Sequence, residues 1–161
     1  MATAMSCHRM THESLEDAFR LLGGFLRDDE YYIDSSQAYG DNGDAAIRRA
    51  LQLLLSRPEL GFVWLGSLDA VAVAVAVVSL AVSTSVGALI AKLDDVYVEA
   101  PYRRRGIGTE HFVLLKSELR RLGVQRIDTS VHLRNEGARR FYQRLGFQSL
   151  HEERISLLLA E

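Results

Sequence analysis

The sequence predicts a mixed α/β (α+β) fold in a single domain. Its 161 residues fall within the usual size of one domain, and 48% apolar with 25% charged residues is an ordinary globular composition. Apolar residues recur at helical spacing in some segments and alternate in others. The C-terminal half follows the order strand–helix–strand–helix–strand, which indicates a mixed sheet with helices packed on it.

The N-terminal part is predicted to contain a short strand and two amphipathic helices. The strand covers residues 7–10, and apolar residues at helical spacing predict the first helix over 12–27. The segment 28–44 is rich in carboxylates and glycine and predicts an acidic loop. A second amphipathic helix is expected over 44–55, ending before Pro58.

The central part contains the uncharged stretch 70–91, which is long enough for a membrane-spanning helix of about 20 residues. However, Ala and Val alternate over 70–77 with the period of a strand, and Ser, Thr and Gly interrupt the second half. We therefore predict two strands, 71–82 and 89–98, joined by a turn. Another strand is expected at 61–65, and no association with a membrane.

The C-terminal part is predicted to contain two helices, each followed by a strand. An Arg- and Gly-rich turn at 103–108 leads into the first helix, which is expected to end near Leu122. A strand over 126–132, a helix over 135–145 and a last strand over 155–159 follow.

Composition argues against several classes of function. A net charge of −2 and a pI near 6.2 do not favour a nucleic-acid-binding surface. The five histidines lack the close spacing of a zinc site, so we expect no metal. The single cysteine, Cys7, cannot form an internal disulfide, and no signal-peptide pattern is seen, so a cytoplasmic protein is expected.

The segment 95–108 predicts a strand that enters a helix through a glycine-bearing turn. Gly106 and Gly108 lack side chains where the backbone would approach a ligand, and the first amides of a helix are unpaired donors that bind phosphate oxygens. Thr109 and His111 do not satisfy the Walker or the dinucleotide-binding pattern, so nucleotide hydrolysis and hydride transfer are disfavoured.

A second motif follows at 135–147, with the sequence Asn-Glu-Gly-Ala-Arg-Arg-Phe-Tyr-Gln-Arg-Leu-Gly-Phe. With both motifs, residues 93–147 resemble the GCN5-related N-acetyltransferase family, which shows Arg/Gln-x-x-Gly-x-Gly/Ala, then an Asn, an Ala-x-x-Phe-Tyr helix and a Gly-Phe. The resemblance implies the acyl-CoA N-acyltransferase fold over 1–161, with a mostly antiparallel sheet of six to seven strands and about four helices. Acceptor-side elements would occupy 1–60, and the acetyl-CoA-binding core 89–150.

The resemblance also implies how acetyl-CoA would be held, without a metal. Backbone groups of two strand residues would bind the pantetheine arm, amides at the helix start would bind the diphosphate, and arginines would supply positive charge. The implied cofactor-binding residues are Val96, Val98, Arg103, Arg104, Arg105, Gly106, Ile107, Gly108, Thr109, Asn135 and Tyr142.

Catalysis would require a base and an acid. An alkylamine with a pKa of ~10.4 must lose a proton before it attacks, and the leaving thiolate must gain one. Tyr142 is the candidate acid, the alternative being an aromatic side chain that only packs its helix. Asp94 is the candidate base, because the resemblance places it where some members of the family carry a glutamate base; Asp95, His132 or an ordered water are alternatives, and strand alternation places Asp95 on the opposite face. An equally open alternative is that both carboxylates only form local ion pairs or hydrogen bonds.

The predicted function is transfer of the acetyl group of acetyl-CoA to a primary amine of a small molecule, by direct attack in a ternary complex. Ten Asp or Glu against six Lys or Arg in residues 1–65 would suit a cationic acceptor. Two alternatives remain: a protein or peptide N-acetyltransferase, and a non-catalytic acyl-CoA-binding regulatory module. The resemblance also leaves a homodimer open.

Overall fold

The computed structural model describes residues 4–159, which form one twisted sheet with helices on both faces. The strands are β1 (Ser6–Arg9), β2 (Gly61–Leu68), β3 (Val71–Ser83), β4 (Ala88–Val98) and β5 (Arg126–Thr129). The helices are α1 (Leu15–Asp28), α2 (Glu30–Tyr39), α3 (Gly43–Ser56), α4 (Ile107–Arg121) and α5 (Glu136–Arg144), with a 3₁₀ turn at Ala100–Tyr102. The strands lie in chain order; β1 to β4 are antiparallel, and β5 is parallel to β4 because α4 crosses between them.

The centre of the sheet is buried on both faces. Val63, Leu65 and Val75 pack against α1 and α3, whereas Trp64 and Val78 pack against α4 and α5. The uncharged stretch 70–91 therefore forms a hairpin of two strands, as the alternation predicts; residues 72–76 and 78 are buried, whereas the turn at 84–87 is exposed. No helix of residues 4–159 is long and apolar enough to cross a membrane.

A β-bulge interrupts β4 where the sequence places its two aspartates. The pairing of Val77 with Asp94 is followed by that of Val75 with Tyr97, so Asp95 and Val96 together oppose a single residue of β3. Asp95 has a φ of 50°, a left-handed conformation that Asp tolerates better than most residues. The bulge reverses the alternation, so Val96 packs with α4 and α5, and Tyr97 packs with α1.

Beyond the bulge, β4 and β5 separate. Their pairing runs from Ile90 with Arg126 to Leu93 with Thr129 and ends there. The strand predicted over 126–132 is therefore too long by three residues. Residues 94–98 of β4 keep an outer edge that no strand of residues 4–159 covers, which leaves backbone donors and acceptors for a ligand.

Three further expectations about elements are wrong. The predicted acidic loop at 28–44 contains α2, because Asp29 caps that helix by accepting a hydrogen bond from the Tyr32 amide at 2.8 Å. No strand forms at 155–159, where the apolar side chains are exposed; Ile155, for example, is 85% exposed. Residues 4–159 thus contain five strands, fewer than the six to seven expected, and five α-helices where about four were expected, while the mixed α/β class is confirmed.

Candidate active site

The start of α4 presents backbone amides that are free to donate hydrogen bonds to a ligand. Gly106 precedes the helix with a φ of 78°, and Arg104 also has a positive φ. A side chain at Gly106 would meet nothing within 4 Å, so this turn faces open space. The first helical hydrogen bond is donated by the Glu110 amide to the Gly106 carbonyl, which leaves the amides of residues 107–109 available for an anion.

Gly108 has a different reason for lacking a side chain. A Cβ there would lie 3.4 Å from Phe141 and 3.7 Å from Val98. The space that this glycine preserves is therefore filled by α5 and β4. The missing side chain at Gly108 allows α5, which carries Phe141, to pack closely against the start of α4. In this motif Gly106 therefore leaves room for a ligand, and Gly108 leaves room for a neighbouring helix.

The three arginines before α4 fall into two groups. Arg103 donates from Nε to the Val98 carbonyl at 2.7 Å and lies over the ring of Tyr97 at 5.1 Å, so it fastens the end of β4 to the turn. Arg104 and Arg105 are exposed, as Arg103 also is, and the Arg105 guanidinium lies 5.8 Å from the centroid of the Tyr102 ring. These two exposed side chains supply positive charge beside the open amides.

A long groove lies between the free edge of β4 and α5, and α2 lies along it. Its lining includes Asp94, Asp95, Val96, Asn135 and Tyr142, so five of the residues predicted from the sequence lie on one surface. The residues at the start of α4 lie outside this lining. They adjoin it through the chain that leads from β4 into the helix.

Tyr142 is held as a buried phenol in this groove. It is 9% exposed and packs edge-on against Phe141 and Phe147, with ring centroids 5.2 and 5.1 Å away. Burial raises the pKa of Tyr142 to about 12, a hydrogen bond with Thr129 acts against this shift, and the nearby aspartates add to it. The phenol therefore keeps its proton at neutral pH and is available as a donor.

The two carboxylates at the bulge have different surroundings. Asp94 forms an ion pair with Lys92 at 3.2 Å. For Asp95, burial raises the pKa of the carboxyl to about 6, the charge of Asp94 adds to the shift, and Lys92 and Arg154 oppose it. Within residues 4–159 no hydrogen bond to the Asp95 carboxylate is seen, so this group is better suited than Asp94 to take a proton.

From the sequence Asp95 is only an alternative to Asp94, because strict alternation places the two on opposite faces of the strand. That expectation is wrong, since both carboxylates line the groove. The bulge that causes this has no signature in the sequence other than the Asp-Asp pair. Aspartate is one of the few residue types that tolerate a positive φ.

His132, the other alternative base, is engaged at both ring nitrogens. Nε2 lies 2.7 Å from the Asp34 carboxylate, and Nδ1 accepts from the Arg134 amide at 3.2 Å. Its ring also lies 5.3 Å from that of Tyr31. His132 therefore joins α2 to the segment before α5, and neither nitrogen is left to accept a substrate proton.

Asn135 begins α5 and faces the groove. Its side-chain oxygen caps the helix by accepting from the Ala138 amide at 3.0 Å, which directs the side-chain nitrogen to other partners.

Neither a metal site nor a cysteine nucleophile is found in residues 4–159. No cluster of three metal ligands occurs there, and burial raises the pKa of the Cys7 thiol to about 12, so it is no thiolate nucleophile.

Comparison with known proteins decides the family. The sequence profile of the acetyltransferase (GNAT) family matches residues 15–147. The chain belongs to the GCN5-related N-acetyltransferase family. As a GNAT protein it is an acetyl-CoA-dependent acetyltransferase, and the family match extends well beyond the two motifs that carry the resemblance in the sequence.

Solved structures share the fold of this GNAT chain over nearly its whole length. A possible acetyltransferase from Clostridium difficile 630 has 14% identity and a TM-score of 0.81, covering 98% of this chain and 99% of its own. AAC(6')-Iy in complex with the bisubstrate analogue CoA-S-monomethyl-acetylneamine has 17% identity, a TM-score of 0.72 and 99% coverage of both chains. A predicted acetyltransferase with acetyl-CoA from Clostridium acetobutylicum has 18% identity, a TM-score of 0.70 and 97% coverage of both.

Proposed function

We propose that this protein transfers the acetyl group of acetyl-CoA to a primary amine of a small molecule, by direct attack in a ternary complex. The observation that carries the proposal is the shared groove, in which the buried phenol of Tyr142 and the partly buried carboxylate of Asp95, which receives no hydrogen bond from residues 4–159, lie beside the free edge of β4. A proton acceptor and a proton donor are both required for this reaction.

The residues of the chain fit acetyl-CoA. The open amides at residues 107–109 and the exposed Arg104 and Arg105 suit a diphosphate. The uncovered edge at 94–98 suits an arm that carries amide groups, because such an arm can pair with it as a strand does. Acetyl-CoA supplies an acetyl thioester and a thiolate leaving group.

Each polar residue of the groove then has a task. The backbone of Val96 and the side-chain nitrogen of Asn135 bind the arm from the two sides of the gap. The Asp95 carboxylate takes the proton from the ammonium nitrogen of the acceptor. After the attack the tetrahedral nitrogen has a second proton to lose, and the sulfur needs one to leave as a thiol. Tyr142 Oη donates a proton to the departing sulfur and regains one from that nitrogen, so the phenol, whose pKa of about 12 lies above the ~8.5 of a thiol, is never left ionised.

The test follows free thiol released from acetyl-CoA in the presence of a panel of primary amines and of amino-terminal peptides. We expect release that depends on the amine, with small amines preferred over peptides. Tyr142→Phe should lower kcat about 100-fold or more while the Kd for CoA stays within twofold, because only the proton donor is lost.

Three results would contradict the proposal. Thiol release that is independent of every amine would remove the transferase reaction and favour a non-catalytic acyl-CoA-binding module. A preference for peptides over small amines would show that the acceptor is a peptide or protein and not a small molecule. An unchanged kcat in Tyr142→Phe would remove the phenol from the mechanism.

A further inference from the structure

A second, smaller cavity lies behind the bulge, between α1, α3 and β3. Its volume is about 270 Å³, and its walls are mainly aliphatic. Leu22, Ile47, Leu51 and Leu54 are among them, and the first three are almost fully buried. An apolar group that enters such a pocket gains the free energy of leaving water.

The cavity and the long groove meet at the bulge. Leu26, Tyr32, Val77 and Asp95 line both spaces. A molecule that extends from the cavity into the groove must therefore pass the Asp95 carboxylate. An amine at one end of an apolar group would reach Asp95 with its nitrogen while the apolar group stays inside the cavity.

Three other carboxylates near the cavity, those of Asp29, Asp41 and Asp34, have local partners. The Asp29 side chain caps α2, and the Asp41 side chain accepts from the Gly43 amide at 2.7 Å. The Asp34 carboxylate lies 2.7 Å from His132 Nε2 and 3.4 Å from an Arg134 nitrogen. Three carboxylates of this segment are thus engaged locally, whereas Asp95 lines both spaces and is placed to receive one ammonium group of the acceptor.

We propose that the acceptor is a compact primary amine with one apolar alkyl or aryl group, which fills the cavity between α1 and α3 and places its ammonium at Asp95. This inference rests on the proposed function and narrows its substrate class. At about 30 Å³ for each water-sized group, the cavity holds about nine non-hydrogen atoms. That size fits an alkylamine of six to eight carbons or a phenylalkylamine.

The first experiment measures binding and turnover of unbranched alkylamines from methylamine to decylamine, with spermidine as the polycation. Binding is measured by calorimetry with CoA present, where no transfer occurs. We expect each added methylene to tighten binding about fourfold up to the length that fills the cavity, and no further gain beyond it. Spermidine should bind at least tenfold more weakly than hexylamine.

The second experiment fills the cavity with a side chain. Ala46→Leu adds bulk inside it, and Ala45→Leu makes the same change at the neighbouring exposed position, which does not line it. We expect Ala46→Leu to weaken hexylamine binding at least tenfold, with methylamine binding and the Kd for CoA changing less than twofold. Ala45→Leu should leave all three values unchanged.

The outcomes separate this inference from the proposed function. If amine binding depends on chain length but no thiol is released, the cavity binds the apolar group of the amine as proposed, and the proposed acetyl transfer is wrong. Thiol release with no dependence on chain length, a preference for spermidine, or equal effects of Ala45→Leu and Ala46→Leu would overturn the cavity assignment and leave the transfer standing.

Discussion

At the scale of single residues, the prediction with the most mechanistic content concerns Asp95. If Asp95 is the base, kcat/KM rises with pH through the carboxyl pKa of about 6, since only the carboxylate can take the substrate proton. Asp95→Asn should lower kcat/KM about 100-fold or more and remove this limb of the pH–rate profile. The measurement is kcat/KM for a saturable alkylamine between pH 5 and 8.

Asp94→Asn is the comparison variant for this prediction. The charge of Asp94 raises the Asp95 pKa, so removing it should move the same limb to lower pH without abolishing it. A lost limb in Asp94→Asn together with a retained limb in Asp95→Asn would return the base assignment to Asp94.

The residues of the candidate site differ in how far the sequence alone predicts them. Tyr142 and Asn135 belong to a motif with fixed spacing on one short helix, so their placement in the groove follows from the sequence. Asp95 depends on a bulge, which arises from the pairing of β4 with β3 and is therefore a property of tertiary structure. The packing role of Gly108 likewise depends on how closely α5 approaches α4, which is also a property of tertiary structure.

At the scale of elements, the long alternating and amphipathic segments were predictable, and the short polar ones were not. β3 and α4 carry clear apolar periodicities and form as expected. The segment 30–39 has no continuous apolar face, and its helix depends on the Asp29 cap and on contacts such as that of Tyr32 with Phe25. The strand predicted at 155–159 has the right composition, but no strand of residues 4–159 pairs with it.

The attachment of α2 gives the prediction that belongs to this scale. The Asp34 carboxylate joins the helix to His132 and Arg134 on the opposite wall of the groove. Asp34→Ala should loosen α2, raise KM for the amine about two- to tenfold and leave the Kd for CoA unchanged, because the start of α4 is not involved. Amide hydrogen exchange of residues 30–39 should become faster.

The matched control for the α2 prediction is Asp28→Ala, which removes an exposed carboxylate at the end of α1. It should change neither the exchange rates of α2 nor the KM. If Asp34→Ala and Asp28→Ala have equal effects, the link from Asp34 to His132 does not hold the helix in place.

At the scale of the whole molecule, two buried groups oppose each other in the pH dependence of stability. His111 is 1% exposed, its Nε2 atom has no hydrogen-bond partner within residues 4–159, and burial lowers its pKa to about 4. The unfolded chain binds this proton near pH 6.5, so stability falls as the pH decreases from about 6.5 to 4. Asp95 acts in the opposite direction, because its folded pKa of about 6 lies above the unfolded value of about 3.9.

The contributions of His111 and Asp95 should largely offset each other between pH 6 and 4, so the remaining loss of stability there comes from carboxyls whose pKa is lowered in the folded chain, such as that of Glu118 at about 2. Between pH 7 and pH 5, the lowered pKa of His111 decreases the free energy of unfolding by about 2 kcal/mol, and the raised pKa of Asp95 increases it by about 1 kcal/mol. In urea unfolding at pH 7 and 5, His111→Leu should therefore gain stability on acidification relative to the wild type, and Asp95→Asn should lose it. The exposed His12→Leu should follow the wild type; parallel behaviour of His111→Leu and His12→Leu would show that His111 does not control the acid limb.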